Sequence, residues 1–175
     1  MPFAVELLLD ERSDQRVRQI WAALDEQGIT SPGGIPGSEY RPHVSLTVFE
    51  DGDPGQVAEV LRPLLRTAGW PPLPLASLGF FLTAEAVAFL GVVPTARLLS
   101  LHHIVHEALE RIVEGINPYY HPDALVPHCT LAIGVPGQAR VAGVVSRFRL
   151  PVPAVAASAH ITEIGSGGLR RTRIC

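Results

Sequence analysis

Two short stretches decide how this chain folds: Arg41-Pro42-His43-Val44-Ser45-Leu46 and Val126-Pro127-His128-Cys129-Thr130-Leu131. Both read Pro-His-x-(Ser/Thr)-Leu, and their histidines lie 85 residues apart. Side chains at i and i+2 of a β-strand share one face. On a strand, each motif therefore projects an imidazole and a hydroxyl together. Two such strands related by a pseudo-twofold would gather two imidazoles and two hydroxyls around one small anion.

The surrounding sequence supports strands at both places. Upstream, Phe3 to Leu9 reads as a buried strand. A helix follows, capped by Asp10 or Ser13, with Val17, Ile20, Trp21 and Leu24 on one face, and runs to about Gln27. Gly28 ends it, and Thr30 to Gly37 is a Pro- and Gly-rich loop. His43 to Phe49 is strand-like, and a helix spans Pro54 to Thr67. After the breakers Pro71, Pro72 and Pro74, Leu75 to Leu82 and Ala86 to Val93 form a hairpin around Thr83-Ala84-Glu85. A third helix covers Thr95 to Val113, a strand Leu125 to Val135, a fourth helix Gln138 to Phe148, and a last strand or pair Val152 to Ile164. The order β-α-β-α-β-β-α-β-α-β loosely repeats itself. It predicts an α+β fold of two similar lobes, each an antiparallel sheet with helices packed outside and the cleft between them, in one domain over residues 1–175.

Composition bounds the function. The 175 residues are 47% hydrophobic and 18% charged, a globular balance. A net charge of −3 gives no broad basic surface for long nucleic acid, despite a late cluster at Arg147, Arg149, Arg170, Arg171 and Arg173. The expected partner is a small phosphorylated ligand. No stretch approaches the roughly 18 apolar residues of a membrane span. The opening MPFAVELLLD lacks a basic leader, and the only cysteines, Cys129 and Cys175, suggest neither a disulfide framework nor a zinc cluster. The expectation is a cytoplasmic monomer without cofactor or metal.

The paired motif suits phosphoryl chemistry. One neutral imidazole takes a proton from the attacking oxygen, and one imidazolium gives a proton to the leaving oxygen. Histidine suits both roles because its unperturbed pKa is about 6.5. The hydroxyls of Ser45 and Thr130 can donate to non-bridging phosphate oxygens, where charge develops. Cys129 lies between His128 and Thr130 and should point to the opposite face, into the core, which argues against a nucleophilic thiol.

The two motifs resemble the paired His-x-Ser/Thr motifs of the 2H phosphoesterase superfamily, which includes the 2′-5′ RNA ligase and RNA cyclic phosphodiesterase proteins. The resemblance runs from the first strand to the last. It implies hydrolysis of a 2′,3′-cyclic phosphate or a 2′-5′ phosphodiester of a nucleotide or RNA end, without metal. It also implies that His43 and His128 are catalytic and that Ser45 and Thr130 hold the phosphate. Two positions depart from the pattern. The first motif has Ser45 where Thr is commoner, and Ile133 stands where the RNA ligase-like branch often carries an Arg, leaving Arg41 as a candidate replacement. The rival readings are a non-catalytic nucleotide-binding module of the same fold and a phosphoesterase for a non-nucleotide substrate.

Other residues were weighed beside the motifs. Tyr40 and Arg41 precede the first motif, and Tyr119, Tyr120 and His121 precede the second. Loops beside active strands carry specificity, and an aromatic ring can stack on a base, so Tyr40, Arg41, Tyr119 and Tyr120 are candidate substrate contacts. His102 and His106 are one helical turn apart, a spacing able to chelate a metal. No third ligand accompanies them, and they read as boundary positions flanking the apolar face of their helix. Gly33, Gly34 and Gly37 lack a phosphate-loop ending and read as a mobile lid or hinge.

Overall fold

The computed structural model describes residues 2–165 and 168–175. Thirteen regular elements follow the chain. They are β1 (Phe3–Leu9), α1 (Glu11–Asp25), β2 (His43–Phe49), β3 (Asp51–Gly52), α2 (Pro54–Ala68), β4 (Pro72–Phe81), β5 (Val87–Val92), α3 (Ala96–Leu109), β6 (Val113–Glu114), β7 (His128–Ala132), α4 (Gln138–Val145), β8 (Val152–Gly165) and β9 (Gly168–Arg173). Short 3₁₀ turns at Pro32–Gly34 and Pro118–Tyr120 punctuate the loops.

The large strands join in the order β2-β1-β8-β4-β5-β7, with β9 also paired to β8. Every ladder is antiparallel. β8 is the shared element. Its start, Val152 to Val155, pairs with β4, and the run from Ala156 to Glu163 pairs with β1. The register slips where Leu8 faces Ser158 but Leu9 faces Ala156, leaving Ala157 as the extra residue. A bulge of this kind inverts the facing of the side chains beyond it. The core positions accordingly change from Val152, Ala154 and Ala156 to Ala159 and Ile161. The fold is thus α+β, with two antiparallel halves meeting along one long strand.

One face of these strands builds the core and the other faces away from it. Val5, Leu7 and Leu9 of β1, Val44 and Leu46 of β2, Leu90 and Val92 of β5, and Cys129 and Leu131 of β7 all join one buried cluster. The helices close it with Val17, Ile20, Trp21 and Leu24 from α1, Leu61 and Leu65 from α2, and Leu98, Leu101 and Val105 from α3. Three caps set the helix starts: Asp10, Asp53 and Thr95 accept from the main-chain N–H groups of Ser13, Gln56 and Leu98. Asp10 also accepts from the N–H of Val155 at 3.0 Å, pinning the start of α1 to the first part of β8.

Several boundaries differ from the sequence reading. β4 begins at Pro72, earlier than expected, because Pro72 and Pro74 are tolerated in a ladder that turns its carbonyls to use; the Pro74 carbonyl accepts from Val93 N–H. α3 ends at Leu109, short of Val113, because Val113 and Glu114 leave the helix to pair with Asp51 and Gly52. β7 covers only His128 to Ala132 of the longer strand predicted, and α4 stops at Val145. β9 lies past the predicted last strand; its run Leu169-Arg170-Arg171-Thr172-Arg173 carries little hydrophobic alternation. The start of the Gly-rich loop is tethered at Thr30 and Ser31. Ser31 N–H and Oγ both bond Asp25 at 2.8 Å, and Ile133 N–H bonds the Thr30 carbonyl at 3.3 Å.

Candidate active site

β2 and β7 lie at opposite ends of the ladder path, yet they run against each other without ladder bonds between them. Their outward residues are the two motifs. His43 sits opposite Leu8, Ser45 opposite Glu6, His128 opposite Gly91 and Thr130 opposite Phe89. Alternation explains the placement: Val44 and Leu46, like Cys129 and Leu131, are buried in the core, so the residues between them face away from it. Trp21 fixes β7 from behind, its indole Nε1 donating to the Thr130 carbonyl at 3.0 Å. Burial pushes the Cys129 thiol up to about 12, so it is an inert core group.

The two histidines share one local geometry. His43 Nδ1 lies 2.7 Å from the Arg41 carbonyl, and His128 Nδ1 lies 2.7 Å from the Val126 carbonyl. A carbonyl oxygen only accepts, so each Nδ1 carries the proton and each neutral ring has its lone pair on Nε2. Extended backbone before a proline-preceded histidine sets this up twice.

Their surroundings differ. His43 Nε2 stands 3.4 Å from Glu6 Oε1, a carboxylate 2% exposed in the middle of β1. Glu6 Oε2 also accepts from the Thr162 hydroxyl at 2.6 Å and lies 3.5 Å from Arg171 Nε. His128 has aromatic neighbours in place of a carboxylate: Phe81 edge-on at 4.9 Å between centroids and Phe89 at 5.2 Å. Gly79 permits this, because a Cβ there would run into the Phe89 ring. Burial is the main reason that His128 titrates below the ordinary imidazole value, and the neighbouring His43 pushes the same way against the pull of the Val126 carbonyl.

A pocket of about 340 Å³ opens beside His128 and Thr130. Phe81, Val87, Tyr119, Leu125, Val126 and Ile133 give it an apolar wall, with Thr83, Glu85, Asn117 and Tyr120 as its polar lining. His43 and Ser45 are not part of its lining; Tyr120, which is, lies near Ser45, and burial raises the titration of its hydroxyl. The 3₁₀ turn carrying Tyr120 is docked on β2 by Asn117 N–H to the Val48 carbonyl at 2.8 Å.

The remaining candidates divide. Tyr119 and Tyr120 line the pocket. Arg41 turns to Asp14 on α1, with Nη2 3.2 Å from the carboxylate, and Tyr40 packs against the core. His102 and His106 are buried, at 1% and 5% exposure, and do not sit at a boundary. His102 Nε2 holds the Tyr120 carbonyl at 2.9 Å and His106 Nε2 meets Glu110 at 3.1 Å, so the first braces the pocket and the second its own helix. Among the described residues no group of three His, Cys, Asp or Glu side chains is placed to hold a metal ion. Among the described residues no helix is long and apolar enough to cross a membrane. Glu6, Phe81 and Phe89 do not stand out in the sequence, although a lone carboxylate inside FAVELLL is a visible signal for the first, and Arg171 stands out only as a member of the late arginine cluster.

The whole fold has solved counterparts. Escherichia coli LigT complexed with 3′-AMP aligns over 98% of this chain and 92% of its own, at 15% identity and a TM-score of 0.63. TT0787 of Thermus thermophilus aligns over 99% and 94%, at 16% identity and 0.63. Kluyveromyces marxianus Usb1 with uridine monophosphate aligns over 98% and 97%, at 13% identity and 0.54. No curated protein matches the sequence. The sequence profile of the 2′-5′ RNA ligase superfamily matches residues 9–167, which span both motifs and nearly every element described above, and the chain belongs to that superfamily.

Proposed function

We propose that this protein is a metal-independent phosphoesterase that hydrolyses a 2′,3′-cyclic phosphate or a 2′-5′ phosphodiester of a nucleotide or short RNA end. His43 and His128 are its acid/base pair, and Ser45 and Thr130 hold the phosphate. The observation that carries the reading is the twinned imidazole geometry: two Nδ1 atoms satisfied by main-chain carbonyls at 2.7 Å, two Nε2 atoms kept for the substrate. A binding module needs no such pair. LigT and Usb1 share the fold and have been seen with 3′-AMP and uridine monophosphate, which supports a phosphorylated nucleotide as the ligand class.

The chemistry is one of proton placement. Water attacks phosphorus as one Nε2 takes its proton. The P–O ester bond breaks as the other Nε2 protonates the leaving oxygen. Hydroxyls on the same strand faces donate to the non-bridging oxygens, whose charge grows in the transition state. The test is turnover of 2′,3′-cyclic mononucleotides and 2′-5′-linked dinucleotides, with and without EDTA, with products read by phosphorus NMR. Turnover that survives EDTA is expected. Tight nucleotide binding without turnover would establish the binding-module reading instead.

A further inference from the structure

The motif is duplicated, but its two copies have not been left equivalent. Resting on the two-histidine reading, we infer that Glu6 is a positioning residue that gives the imidazoles different jobs: His43 donates the proton to the leaving oxygen, and His128 accepts the proton of the attacking water.

Glu6 is a buried carboxylate on the strand beside β2, and it approaches the catalytic nitrogen of His43, not the Nδ1 side. At 3.4 Å the contact is longer than a hydrogen bond but well within ion-pair range. An imidazolium at His43 has a counter-charge there. His128 has no carboxylate in the corresponding place, where the rings of Phe81 and Phe89 stand. A cation among these rings and beside a protonated His43 is disfavoured, so the one proton shared by the pair belongs on His43.

The other charges near His43 set the sign of the test. Arg171 reaches from β9 to Glu6, with Nη1 donating to the Glu39 carbonyl at 2.8 Å; its Nε and Nη2 are buried without hydrogen-bond partners among the described residues. Arg41, on the segment leading into β2, is taken by Asp14 of α1. His128 comes from β7, and Tyr120, from the 3₁₀ turn before it, lies near Ser45 and Glu6. His160 of β8 lies opposite Glu6, beside Arg171 and Arg173, and its Nε2 meets the Ser158 hydroxyl at 3.0 Å. Glu6 is the one carboxylate in contact with His43 among the described residues, and Arg171 is the cation that offsets it.

In the balanced step, a water O–H proton passes to His128 Nε2 as its oxygen bonds phosphorus. The P–O ester bond breaks with its electron pair on the leaving oxygen, which takes the proton of His43 Nε2. Solvent then returns one proton to His43 and removes one from His128.

The experiment is the pH profile of kcat/KM on a 2′,3′-cyclic mononucleotide. Its acidic limb reports His128 and its alkaline limb His43. Glu6→Gln removes the counter-charge and should move the alkaline limb down by about one pH unit or more, leaving the acidic limb nearly in place. Arg171→Gln removes the offsetting cation and should move the same limb up. A structural role would lower the rate in both variants without opposite shifts. Equal-sign shifts, or an alkaline limb that stays put in both, would overturn the inference. If Glu6→Gln does not fold, the upward shift in Arg171→Gln decides alone. The two-histidine reading fails separately, if His43→Ala and His128→Ala turn over at the wild-type rate.

Discussion

The ring of Phe81 stands edge-on to the imidazole of His128, with centroids 4.9 Å apart and planes at 83°. Phe81 is the last residue of β4 and only partly buried, so its removal opens the imidazole to water without emptying the core. Phe81→Ala should therefore relieve the burial that lowers His128 and raise the acidic limb of the pH profile toward the ordinary value of about 6.5. Rate against pH between 4 and 8 (about that span suffices for an imidazole) checks it. An unchanged limb would mean that the aromatic contact does not govern His128.

Under the proposed two-histidine mechanism, loss of either imidazole removes one proton-transfer partner. His43→Ala and His128→Ala should each cost about 10²- to 10⁴-fold in rate, and the double variant less than the product of the two. Ser45→Ala and Thr130→Val should cost less, because the other hydroxyl remains. Initial rates on a cyclic mononucleotide, with circular dichroism to verify folding, measure all five variants.

Trp21 links the core to the second motif through its bond to the Thr130 carbonyl at 3.0 Å. Trp21→Phe keeps most of the packing and leaves that carbonyl without its indole partner. We expect a stability loss of about 1–2 kcal/mol from the unmet bond and smaller ring. Urea unfolding gives the value. Since Thr130 rides on the same strand, KM should rise more than kcat falls.

Acid should destabilise the fold earlier than carboxylates alone would dictate. Burial is the largest cause of the lowered titration of His102, His128 and His160. The unfolded chain takes up these protons near pH 6.5, while the folded chain resists. The unfolded state then binds more protons, so stability is fully present above about pH 6.5 and falls as pH drops through that value toward the folded ones. Urea midpoints at steps from about pH 8 to pH 5 should trace this decline. His102→Gln should flatten it, at the cost of a looser Tyr120 turn.

The parts of the structure that obey local rules were legible in the sequence. The apolar face of α1 and the facing of both motifs follow from period and alternation, Asp10 is the cap of the two candidates Asp10 and Ser13, and Val17, Ile20, Trp21 and Leu24 are buried as read. What escaped depends on contacts between distant segments. β9 is a charged run whose only reason to be a strand is the edge offered by β8. The pairing of β3 with β6, which shortens α3, involves two residues on each side, too few for any pattern. His102 looks amphipathic on a helical wheel, but the Tyr120 turn folds over it and buries it. The ion pair of Arg41 with Asp14 is likewise a contact between distant segments that proximity in sequence does not give.

The route by which β2 and β7 come together has a consequence for how reactivity is tuned. These strands are terminal members of a single ladder path, and no ladder bonds join them to each other. The spacing of the two imidazoles is therefore the closing gap of a caliper whose arm is the whole sheet. A small change of twist at β1-β8, β8-β4 or β4-β5 is carried to the jaws, where twist differences accumulate across successive strands. Ala157 is the bulged residue of that arm, two residues beyond the last β8 residue paired with β4. Substitutions there, far from any proton-transfer atom, should alter which phosphodiesters fit between the jaws.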